Sequence, residues 1–181
     1  MLTLEIPGGE LFNDETQTFI KTKKETLQLE HSLVSLSKWE SKWLKPFLST
    51  DNKTTDETID YIRCMTITQN VHPDVYTNIP NEAFEQIEEY INAKMTATWF
   101  GDKAETKKNK EVITAEIIYF WMIAQNIPFE CQKWHLNRLL TLVRVCNIKN
   151  TPPKKQGRNK EALSNRNALN QARRAQLNTK G

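Results

Sequence analysis

Hydrophobic positions alternate with polar ones at the start of the chain. Leu2, Leu4 and Ile6 form one apolar edge that stops at Pro7-Gly8-Gly9, which predicts a short strand ended by a turn. Thr18–Lys21 offers a weaker second strand. The clearest strand runs from Thr26, where Leu27, Leu29, His31 and Leu33 share one side and Gln28, Glu30 and Ser32 the other. The spacing then lengthens to a helical period. Ser37 and Glu40 match a capping box, Trp39 and Trp43 lie one turn apart, and Pro46 ends the segment.

Four further helices follow from the same pattern. Thr54 and Glu57 form a second capping box ahead of the stripe Ile59, Ile62, Met65, for a helix to about Ile67. Asn81 is a good N-cap for a helix that turns Phe84, Ile87 and Ile91 inward and Glu82, Glu85, Glu88 and Glu89 to water. Glu111–Asn126 is apolar on most sides, which predicts the buried centre of the bundle. Pro128 opens the last, with the stripe Leu136, Leu139, Leu140 and Val143. Met95–Phe100 reads as a strand or an ordered connector, and Asp102–Lys110 as an exposed polar stretch. The reading is α+β, mainly α: a small antiparallel sheet over residues 2–34, a bundle of about four helices over 37–148, and a tail. Ile117, Phe120, Trp121, Leu136, Leu139 and Leu140 are expected to be buried together.

Charge separates the tail from the body. Residues 149–181 carry nine Lys or Arg against Glu161, a net +8, which leaves −5 on the remaining 148 residues of a chain of net +3. The body, 1–148, is expected to be one domain, and 149–181 a basic tail. Thr151-Pro152-Pro153-Lys154-Lys155 cannot continue a helix, whereas 159–177 mixes helix formers with too few large apolar groups to anchor itself. Such a segment folds onto a partner, through Arg166, Arg173 and Arg174 and through Leu163, Leu169 and Leu177. No aromatic residue follows Trp134, so base stacking has no platform in the tail and a protein partner is favoured over nucleic acid.

Composition narrows the remaining classes. The longest apolar run, Ile117–Ala124, is eight residues, too short to span a bilayer, and the N-terminus lacks a basic segment followed by an apolar one. Three Cys without framework spacing fit free thiols in a reducing compartment. Cys131 and His135 stand i, i+4 on one predicted helix face, but no second pair completes a metal site. As nucleophile and base they would lack an orienting third group. Asp56, Glu57 and Asp60 at a helix start are explained by capping and the helix dipole. No phosphate-binding, dinucleotide-binding or metalloprotease motif is present. The expectation is a non-enzymatic module with no catalytic, cofactor-binding or metal-binding residues.

Three strings carry a resemblance. Leu27–Trp43 (LQLEHSLVSLSKWESKW), Met95–Phe100 (MTATWF) and Trp121–Leu140 (WMIAQNIPFECQKWHLNRLL), with the ending Leu169–Arg174 and Leu177–Gly181, resemble the tail assembly chaperones of bacteriophages with long, non-contractile tails. The resemblance covers nearly the whole chain. It implies a protein that binds the tape measure protein, keeps it soluble and recruits tail tube subunits in the host cytoplasm without joining the virion. It transfers no catalytic residue and leaves homo-oligomerisation open. The alternatives are a structural protein of the head–tail junction or tail, and a small nucleic-acid-binding adaptor.

Overall fold

A computed structural model describes residues 1–13, 17–49, 52–100, 112–151 and 160–178. It is α+β and mainly helical, and it divides into two compact units, Met1–Asn147 and Ile148–Gly181. The expectations for Asp102–Lys110, Glu111 and residues 152–159 fall outside the described residues.

The sheet is a long hairpin with a step in it. Strand β1 (Leu2–Ile6) pairs antiparallel with β4 (Glu25–Leu29), and β2 (Gly9–Asn13) pairs with β3 (Thr18–Thr22). Ile6 faces Glu25 and Gly9 faces Thr22, so both ladders keep one register, interrupted by Pro7-Gly8 opposite Lys23-Lys24. Proline has no amide proton to give a ladder, which breaks the pairing locally. The chain does not turn away at this point, as its Pro-Gly-Gly signal suggests; β2 resumes at Gly9. Asn78 donates to the Pro7 carbonyl at 3.1 Å, and a Cβ at residue 9 would stand 2.9 Å from its amide nitrogen. Only glycine leaves that approach open. Leu4, Ile6, Leu27 and Leu29 fill the inner face of the β1–β4 ladder.

The strand is shorter than its alternation implies. Ser32 caps helix α1 (Leu33–Trp43): its side chain accepts from the Ser35 amide, and the Ser35 hydroxyl accepts from the Ser32 amide. Ser37 and Glu40, which mimic a capping box, therefore lie inside the helix. Leu33, Leu36 and Trp39 are fully buried, and α1 packs against both α2 (Thr55–Met65) and α4 (Ala115–Ala124). Helix α1, and not α4, is the centre of the unit. The Thr54–Glu57 capping box forms as expected. Helix α3 (Asn81–Asn92) starts one residue before its expectation, with Pro80 at the cap position and no side-chain cap bond. A short 3-10 turn, Phe129–Lys133, precedes α5 (Leu136–Asn150), and α6 (Lys160–Leu177) follows in the second unit.

The expected core needs correction. Leu136 and Leu139 are fully buried, while Ile117, Trp121 and Leu140 are only half-buried. Phe120 is 65% exposed. Helix α4 buries only the Ala115, Ile118, Met122 edge. Met95–Phe100 is an irregular connector without strand structure.

Candidate partner-binding surfaces

Among the described residues no buried side-chain polar atom lacks a hydrogen-bond partner, and several of these bonds tie one element to another. Glu40, 7% exposed, accepts from the Phe47 amide at 2.8 Å and the Ala115 amide at 2.7 Å. One carboxylate thus ties α1 to the start of α4, where it also meets the positive end of the helix dipole. Trp39 donates its indole proton to the Glu57 carbonyl at 2.8 Å. The Lys45 hydrogen bond and the capping bond hold the Glu57 carboxyl below its usual range. Burial pushes Asp60 upward, but hydrogen bonds from Lys42 and Trp43 outweigh it and its value ends lower. Glu57 serves the capping box, as its place at a helix start implies, whereas Asp60 is held by Lys42 and Trp43 of α1.

A second staple joins the sheet to α5. The Leu136 amide donates to the His31 carbonyl at 2.7 Å, and Ser32 bridges His135. The two imidazoles meet edge to face with centroids 5.1 Å apart. His31 Nδ1 shares a 2.6 Å hydrogen bond with the Tyr61 hydroxyl. His135 Nε2 lies 3.0 Å from the Tyr90 carbonyl, which only accepts, so that nitrogen carries the proton, and Nδ1 accepts from the Asn137 amide. Burial, with His135 alongside, lowers His31 to about 3. Both rings are neutral at physiological pH. Cys131 and His135 do not share a helix face: Cys131 sits in the 3-10 turn and His135 just ahead of α5. Burial raises the Cys131 thiol, which keeps it protonated and inert. No group of three or more His, Cys, Asp or Glu could hold a metal among the described residues.

The outer surface is less complete. Helix α4 is apolar on nearly every side; its Ala115, Ile118, Met122 edge is buried, while Ile117, Tyr119 and Trp121 on its flanks are half-buried. Glu116, Phe120 and Ile123, at i, i+4 and i+7, face outward, with Phe120 65% and Ile123 61% exposed. Phe129 is 52% exposed and lies beside Tyr119 of α4, ring centroids 6.4 Å apart. At the other end, Leu44 and Val112 line a cleft of about 310 Å³ together with Glu116. Leu44 ends α1 in the left-handed region (φ 52°), where glycine is usual, and is 87% exposed. A large apolar side chain kept in a strained, solvated position is an observation that packing does not explain. Sequence reasoning missed this strip because it equated all-round apolarity with burial.

A second opening lies between the α3–α4 connector and α5. Its cavity is about 450 Å³. Asn137 pins its floor by donating to the carbonyls of Ile91 and Ala93 at the end of α3 (3.0 and 2.9 Å). Met95, in the connector, adopts the left-handed region with φ 49°. Arg144 stacks over Phe100 at 4.1 Å, Lys94 is exposed, and Trp99 is 73% exposed. Of five tryptophans, Trp39 is buried, Trp43, Trp121 and Trp134 are half-buried, and Trp99 alone projects.

The tail residues expected to bind a partner lie on α6. Arg166, Arg173, Arg174, Leu169 and Leu177 are exposed, and Leu163 is in the helix with its side chain outside the described set. Arg166, Leu169, Arg173 and Leu177 follow i, i+3, i+7, i+11, which places them along one face; Arg174 lies to its side. No helix of the described residues is long and apolar enough to cross a membrane. Comparison with family models, curated proteins and solved structures finds no match to this chain.

Proposed function

We propose that this protein is a non-enzymatic tail assembly chaperone of a long-tailed bacteriophage, which holds apolar helical segments of the tape measure protein. The observation that carries the reading is the outward face of α4, with Phe120 and Ile123 exposed on a helix whose opposite edge is buried. A holdase needs such a surface on an ordered scaffold, because a rigid face loses little entropy on binding. Burying what remains exposed of Phe120, Ile123 and Phe129 against a client helix is worth about 3–5 kcal/mol before association costs. The basic helix α6 supports the reading as an arm whose Arg and Leu residues share a face. The family resemblance of the sequence supplies the client, the tube subunits as second partner, and the host cytoplasm as the place of action.

The test is quantitative mass spectrometry of purified particles and of the lysate that assembles them. A chaperone is found on the tape measure protein in the lysate and is absent from particles. A stoichiometric copy number in particles overturns the proposal in favour of a structural protein of the tail or head–tail junction.

A further inference from the structure

The opening beside Trp99 has a chemistry that its own molecule does not use. Two cations, Lys94 and Arg144, line it, and no carboxylate does. Neither cation forms an ion pair among the described residues; Arg144 is held only by its stacking on Phe100. Trp99 stands over the opening as a large, stiff, solvated ring, the type of side chain that anchors interfaces. The walls are fixed by Asn137 and by the left-handed backbone at Met95, so the site is formed in advance.

The complementary surface is on the same molecule. Helix α3 buries Ala83, Ile87 and Tyr90 and exposes Glu82, Glu85, Glu88 and Glu89, with Glu82, Glu85 and Glu89 at i, i+3, i+7 along one face. None of the four has an ion-pair partner among the described residues, whereas Asp60, Glu57 and Glu5 are paired with Lys42, Lys45 and Lys24. Helix α3 ends two residues before Lys94, so each copy presents an acidic face and a basic, aromatic opening in succession. A two-fold arrangement brings each opening against the acidic face of the other copy and makes both contacts at once. The four exposed carboxylates of the preceding helix repel a polyanion, which disfavours nucleic acid as the occupant.

We infer that the opening lined by Lys94, Trp99 and Arg144 is a self-association site that receives the Glu85–Glu89 face of α3 from a second copy. The inference is independent of the phage reading. Sedimentation equilibrium of the full chain tests it, with circular dichroism and melting temperature reporting the fold of each variant. The chain dimerises, more weakly at high salt. Lys94→Glu with Arg144→Glu weakens dimerisation about tenfold or more, as does Glu85→Lys with Glu89→Lys. An equimolar mixture of the two variants restores it, because opposite charges face each other once more. Should a reversal unfold the chain, Trp99→Ser and Lys94→Gln replace it, with the same direction expected. A chain that is monomeric throughout, a dimer indifferent to these changes, or a mixture no better than its parts overturns the inference. So does a single-stranded oligonucleotide that binds the monomer and is lost on Lys94→Glu with Arg144→Glu.

Discussion

Acidification provides a sharp test of the histidine staple. Unfolded His31 titrates near 6.5, while the folded ring, 2% exposed and edge-on to His135 5.1 Å away, holds a value of about 3. Above 6.5 both states are neutral and the group contributes no pH dependence. Below it the unfolded chain gains a proton that the folded one refuses, so stability falls as pH falls, through the window from 6.5 to about 3. Each pH unit inside the window costs about 1.4 kcal/mol per proton, so the loss at pH 5 is about 2 kcal/mol. Burial lowers His135 as well and adds a loss of the same sign. Glu57 and Asp60, held below their ordinary values, lose their contribution only at more acid pH. Urea unfolding at pH 7.5 and pH 5, followed by tryptophan fluorescence, measures the difference. His31→Gln keeps a polar partner for Tyr61 but removes the proton site, and it should shrink the difference by about 2 kcal/mol. A variant that retains the whole wild-type difference would refute the reasoning.

Other perturbations follow from the same geometry. Glu40→Gln keeps an acceptor for one of the Phe47 and Ala115 amides and turns an N–H toward the other; the expected loss is about 2–4 kcal/mol by urea titration. Leu139→Ala, at a fully buried position, should cost about 2–5 kcal/mol, and a near-neutral result would place that face outside the core. Removing residues 151–181 should leave the melting temperature of the first unit almost unchanged, since the described side chains of α6 are exposed. Replacing Leu163, Leu169 and Leu177 by Ser should weaken tape measure binding more than replacing Arg166, Arg173 and Arg174 by Gln, and equal effects in a pull-down would refute that order. The Arg variant should chiefly flatten the salt dependence.

The local signals were legible and the long-range ones were not. Alternation at Leu2, Leu4 and Ile6 and at Leu27 and Leu29 marks the two strands that pair, and Thr54 with Glu57 marks a helix start. The switch from strand to helix at Ser32 escaped, because His31 and Leu33 continue the strand alternation while a Ser–Ser cap replaces the usual Ser–Glu one. Ser37 and Glu40 imitate that cap inside the helix. Glu40 serves Ala115 instead, 75 residues away, and no sequence window reveals such a bond. Helix α4 shows the limit most clearly. Its composition reports that apolar surface must be covered, but not whether this chain or another covers it. The stripe of α5 was readable because polar residues interrupt it, whereas α4 has almost none to mark an outside.

The central claim is that the outward face of α4 holds a client. Its most direct measurement is the soluble yield of tape measure protein co-expressed with this chain. The wild-type chain should keep it soluble and copurify with it. Phe120→Ser with Ile123→Ser should lose that effect while keeping the wild-type melting temperature, since both side chains are exposed. A tape measure protein equally soluble with the variant, or insoluble with the wild type, would contradict the account.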